Sequence, residues 1–123
     1  MLLTILSDLL KIDDILMIIK NNAAISEIKN NSLNIKQKEK WITIGDNNDP
    51  AHIHINTELI RSAEFIENEK SGRTSFSIQF FDENHERVLS IFFTKMYDDN
   101  ELNTERKKIY EKLCQKYGAK IKF

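Results

Sequence analysis

From Trp41 to Lys95 apolar residues tend to recur at every second position, and each run stops at a cluster of turn-forming residues. Trp41-Ile42-Thr43-Ile44 ends at Gly45, and Asp46 to Pro50 reads as a loop around the only proline. Ala51 to Ile55 alternates cleanly, Ile60 to Glu67 forms a third strand, and Asn68 to Arg73 a charged turn. Ser75 to Phe81 and Val88 to Lys95 complete five strands, the last two separated by a hairpin-sized loop, Asp82 to Glu86. Sequential strands with short connections predict an antiparallel meander of five or more strands. The Trp41 indole, at a strand start, is expected to be buried. His85 tolerates positive φ better than most residues and is expected to serve the hairpin turn.

Both ends read as helix, which makes the class α+β. Leu2, Ile5, Leu6, Leu9, Ile12, Leu16 and Ile19 follow three- and four-residue steps, with Asp13 or Asp14 placed to cap a second helix. Ala23 to Lys29 reads as a further short helical piece, and Asn30 to Lys40 as a polar connection. Near the C-terminus Thr104 is the expected cap, Ile109, Leu113 and Cys114 or Tyr117 share a face, and Gly118 is the expected stop. Lys107, Lys108, Lys112 and Lys116 then form a solvated face. The predicted architecture is an antiparallel sheet flanked by N-terminal helices and one C-terminal helix.

A chain of 123 residues with 30% charged and 41% hydrophobic residues suits one globular domain. Its formal net charge of -1 argues against a nucleic-acid partner. Asp8, Lys11, Asp13 and Asp14 interrupt the apolar N-terminal run, so it reads as neither an export signal nor a membrane span. The single cysteine, Cys114, excludes an internal disulfide and fits a reducing compartment, so a cytoplasmic location is expected. Ile, Lys and Asn make up over a third of the chain, which lowers the weight of its Lys- and Asn-rich stretches.

Chemistry rests on few residues. His52 and His54, two apart in a strand, point to one face, while Ile53 and Ile55 point into the core. No glycine-rich phosphate loop or nucleophile elbow is visible, and the paired carboxylates Asp98-Asp99 read as a helix-entry or solubility feature, so no catalytic constellation stands out. A small enzyme built on His52 and His54 lacks a third group in sequence.

The run Trp41-Ile-Thr-Ile-Gly, His54-Ile-Asn-Thr, Ala63-Glu-Phe-Ile, Phe81-Asp-Glu-Asn-His-Glu86 and Phe92-Phe93 resembles the cytoplasmic haem-utilisation proteins of the HemS/ChuX/HutX group. The similarity spans roughly residues 41–95, and His85 stands where those proteins place the hairpin glycine. The length corresponds to a single repeat of the two-repeat members. The resemblance implies one haem-utilisation-like domain over residues 1–123 that binds or carries haem and forms a homodimer; it leaves haem degradation open. It implies cations for the propionates, with Arg61 and Lys95 available. The larger members' iron ligand precedes the sheet, and with no His, Tyr or Cys before Trp41 it is not carried over. The available imidazoles are His52 and His54, the latter favoured by its His-x-Asn-Thr context, and Tyr97 is the alternative ligand. The competing expectation is a cofactor-free module that pairs with a protein through its exposed sheet face or edge.

Overall fold

Residues 1–30 and 33–123 are described by the structure, a computed structural model. The elements are α1 (Leu2–Leu10), β1 (Ile15–Lys20), β2 (Ile25–Lys29), β3 (Ile35–Lys38), β4 (Trp41–Ile44), β5 (Ile53–Asn56), β6 (Ser62–Lys70), β7 (Arg73–Phe81), β8 (Arg87–Phe93), β9 (Tyr97–Asp98), β10 (Glu101–Leu102), α2 (Thr104–Tyr117) and β11 (Lys120–Lys122). Six strands form the large antiparallel sheet in the order β11-β6-β7-β8-β1-β2. A second sheet has the order β3-β4-β5, and β9 pairs with β10. The α+β class and the β6-β7-β8 meander are as the sequence predicts. The expected run of five strands is divided, with β4 and β5 in the smaller sheet.

The helical reading of residues 12–19 and 23–29 is overturned, because α1 stops at Leu10 and two strands follow. Asp14 turns the chain at a φ of 60°. Ile15, Ile18 and Ile19 are β-branched and favour strand. β1 lies between β2 and β8, so Ile15 and Met17 are buried while Leu16 and Ile18 on the other face are half-buried. A strand apolar on both faces has no clean period of two and mimics a helical stripe over short lengths. The expected polar connection at 30–40 contains β3, which pairs with β4; Asn31 and Ser32 of that segment lie outside the described residues.

The core lies on one face of the large sheet. Register places Phe76, Ile78 and Phe80 of β7 opposite Phe93, Ile91 and Leu89 of β8, with Ile15 and Met17 of β1 alongside. Ile5, Leu6 and Leu9 of α1 and Ile42, Ile44, Ile53 and Ile55 of the small sheet join the same cluster. From α2 the Tyr110 ring meets Phe65, Phe76 and Phe93 edge-on, and its hydroxyl donates to Ser77 O at 3.1 Å. Burial first, and the Glu67 carboxylate second, hold this phenol well above its ordinary pKa. Asn30 closes the end of α1: its Nδ2 donates to Leu10 O and Ile12 O, and its Oδ1 accepts from Leu33 N. The α2 cap is Asn103, one residue before the expected Thr104, and Gly118 at a φ of 92° ends the helix as predicted.

Trp41 is corrected: it is 42% exposed, while Ile42 and Ile44 are fully buried. Alternation puts Trp41 and Thr43 on the outer face of the small sheet. Trp41→Ala is therefore expected to cost about 1 kcal/mol, well below the roughly 3–5 kcal/mol of a buried indole. A thermal melt shifted by only a few degrees checks this.

Lys116 and Tyr117 of α2 both donate to Asp8 Oδ2 of α1, at 2.7 and 2.5 Å. Lys116 thus leaves the expected solvated lysine face to join the helices. These hydrogen bonds, Lys116 first, hold the Asp8 carboxyl below its ordinary value of 3.8. A lowered folded pKa means that the contribution is present above the unfolded value and is lost as pH falls through the folded one. The denaturation midpoint is expected to decline below about pH 4, and the decline should be shallower in Asp8→Asn.

Candidate functional site

A half-open hollow forms where β7 begins and β8 ends. The β6–β7 hairpin turns at Ser71 and Gly72, both at positive φ, and the register pairs Lys70 with Arg73 across it. Phe93 lies opposite Phe76, so the residues after β8 emerge beside that hairpin. Thr94 is fixed through its N–H and its hydroxyl, both donating to Asp14 O. Lys95 then adopts a φ of 55°, and Met96 turns into the core. The Tyr97 hydroxyl accepts from Thr74 N at 2.9 Å, and the Arg73 guanidinium lies 4.9 Å from the Tyr97 ring centroid. Arg73 also donates to Asp99 O and Asn100 Oδ1. Lys95 Nζ reaches Asp14 Oδ1 at 3.1 Å.

The hollow measures about 380 Å³ and is lined by Asn68, Lys70, Arg73, Thr74, Ser75, Phe93, Lys95, Met96 and Tyr97. Three cations and no carboxylate line it. The volume falls in the range of about 300–1,000 Å³ that small-molecule sites occupy. Apolar surface from Phe93, Met96 and the Tyr97 ring with a cationic rim suits a flat apolar ligand that carries acidic groups.

Of the residues selected from sequence, Lys95 and Tyr97 line this hollow, whereas Arg61, His52 and His54 do not. Arg61 sits at the far end of β6, where its N–H donates to Phe81 O. Eight strand residues separate it from Lys70, a distance of roughly 25–30 Å. His52 and His54 stand exposed beside and on β5, with ring centroids 5.1 Å apart. They share one face, as alternation predicts. His54 Nδ1 shares a hydrogen bond with Thr43 Oγ1 at 2.9 Å. Gly45 lies so close to the start of β5 that an added Cβ would meet Ala51 O at 2.9 Å. His85 takes the turn role expected of it, at a φ of 58° with its ring stacked on Phe81 at 4.3 Å.

Sequence reasoning missed Lys70, Arg73, Phe93 and Met96. The signal was available in the meander, since an antiparallel β7–β8 pair brings the beginning of one strand beside the end of the next.

Comparison with known proteins bears on the fold. A protein-family model matches residues 3–120. The crystal structure of ChuX superposes with a TM-score of 0.78 at 18% identity, covering 92% of this chain and 69% of that one. The chain belongs to the haem-utilisation proteins of the ChuX/HutX type. The same fold appears in protein AGR_C_4470 from Agrobacterium tumefaciens, with a TM-score of 0.75 at 21% identity, covering 92% of this chain and 64% of that one. Holo-PhuS, a heme-binding protein from Pseudomonas aeruginosa, gives a TM-score of 0.67 at 16% identity over 89% of this chain. The chain spans about a third of PhuS, 31% of its length. No curated protein matches by sequence. Among the described residues no helix is long and apolar enough to cross a membrane.

Proposed function

We propose that this ChuX/HutX-type protein binds and carries haem, and that the hollow between the β6–β7 hairpin and the segment after β8 receives it. The observation that carries this reading is the lining itself, which combines three cations, no carboxylate and an apolar floor. Lys70, Arg73 and Lys95 would meet the propionates. Phe93 and Met96 would lie against the macrocycle. The Tyr97 hydroxyl would be the group offered to its iron, a phenol being one of the side chains that hold haem iron. Haem held by His54, which the sequence favoured, would need to lie on the small sheet, outside this hollow. The open side of the hollow suits a carrier that passes its ligand on.

The finer expectations belong to the same reading. The face of the large sheet opposite the core carries half-buried Leu16, Ile18, Ile66 and Phe92 and the 63% exposed Ile25. This surface supports a homodimer. The free Cys114 accords with a cytoplasmic location.

The test is a haemin titration that compares the unaltered protein with a Lys70→Gln, Arg73→Gln, Lys95→Gln variant. Each exposed ion pair contributes about 0.2–1 kcal/mol, so the triple variant is expected to bind about tenfold more weakly. Haem dimethyl ester, which lacks the propionate charges, should bind both proteins alike. Equal haemin affinity for the two proteins would remove the hollow from the account.

A further inference from the structure

The two imidazoles of the small sheet are not absorbed by the haem reading. Side chains two residues apart on a strand begin about 7 Å apart, yet the rings of His52 and His54 approach to 5.1 Å between centroids at an interplanar angle of 71°. Two imidazoles that bind one ion at about 2.0–2.1 Å, with an angle at the metal of about 90–110°, hold their centroids about 4.5–5.2 Å apart. The observed separation lies within that interval.

Thr43 supplies the second observation. The residue is 9% exposed, and its Oγ1 lies 2.9 Å from His54 Nδ1. A ligating histidine usually donates its second ring N–H to a fixed acceptor, which sets ring orientation and tautomer. With Nδ1–H donating to Thr43, the Nε2 lone pair of His54 is free. β5 is an edge strand, so one side of the pair is open to entering ions.

We propose that His52 and His54 form an exchangeable site for a borderline divalent transition ion of the Zn²⁺, Ni²⁺ or Cu²⁺ class, with Thr43 as its positioning residue. Imidazole pairs select these ions over Mg²⁺ and Ca²⁺, which take oxygen ligands. Among the described residues no group of three or more His, Cys, Asp and Glu gathers around an ion. The protein therefore supplies two ligands and water the rest, which makes the site labile. It is independent of haem in the hollow, which neither imidazole lines.

The test is titration of the full, haem-free chain with Zn²⁺ at about pH 7.5, following the histidine ring protons by NMR. His85, on the β7–β8 hairpin with its ring stacked on Phe81 and its Nε2 3.6 Å from Glu64 Oε2, is the internal control. The expected result is that His52 and His54 shift together at one midpoint near one equivalent, with His85 unmoved and Mg²⁺ without effect. His52→Ala and His54→Ala should each weaken Zn²⁺ binding at least about tenfold, and Thr43→Val about tenfold through the lost orienting bond. Parallel shifts of all three histidines, or single variants that keep the affinity, would overturn the proposal.

Discussion

Replacing Tyr110 with alanine is expected to destabilise the protein by about 3–5 kcal/mol. The ring is the contact through which α2 grips the large sheet, edge-on against Phe65, Phe76 and Phe93 at centroid separations of 5.2–5.5 Å. Truncation removes three aromatic contacts, opens a cavity among them and strips Ser77 O of a donor. At this chain length the melting temperature should fall by at least about 10 °C. Tyr110→Phe separates the terms. It keeps the ring and loses only the buried hydrogen bond, worth about 1 kcal/mol. A melting temperature within a degree or two of wild type for Tyr110→Ala would mean that α2 is not anchored through this residue.

Asn30→Ala should have the next largest effect, about 2–4 kcal/mol, since one buried side chain serves three backbone groups. Two of them, Leu10 O and Ile12 O, are carbonyls at or just beyond the end of α1, which have no partner within the helix. The third, Leu33 N, begins the approach to β3. Asn30→Asp retains the acceptor and loses both donations, so it should be nearly as damaging. Denaturant midpoints for the two variants check this, and a midpoint unchanged in both would show that water replaces the amide at little cost.

The two predictions concern features of unequal visibility in the sequence. The β6–β7–β8 meander was legible because its strands alternate and their turns carry recognisable residues, down to the positive φ of His85. β1 was not, because Ile15 to Ile19 is apolar on both faces and continues the three- and four-residue steps of α1. Trp41 was misplaced although alternation alone assigns it to the face opposite Ile42; size was allowed to outweigh phase. Asn30 carried no signal, since its partners lie 18 and 20 residues away. In the candidate site Lys95 and Tyr97 were legible by their position after the Phe92-Phe93 strand. Arg73 and Lys70 were read as turn residues, because their role depends on which strand end the hairpin meets. Arg61 precedes β6 and so lies at the end of that strand away from the hollow.

The central claim is that haem occupies the hollow with Tyr97 at the iron. Soret absorption during haemin titration of the unaltered protein, Tyr97→Phe and a His52→Ala, His54→Ala double variant tests it most directly. The account predicts saturable binding by the unaltered protein, a Soret band displaced in Tyr97→Phe, and a band and affinity unchanged in the double histidine variant. Absence of binding by the unaltered protein, or a band altered by the histidine changes and not by Tyr97→Phe, would contradict it.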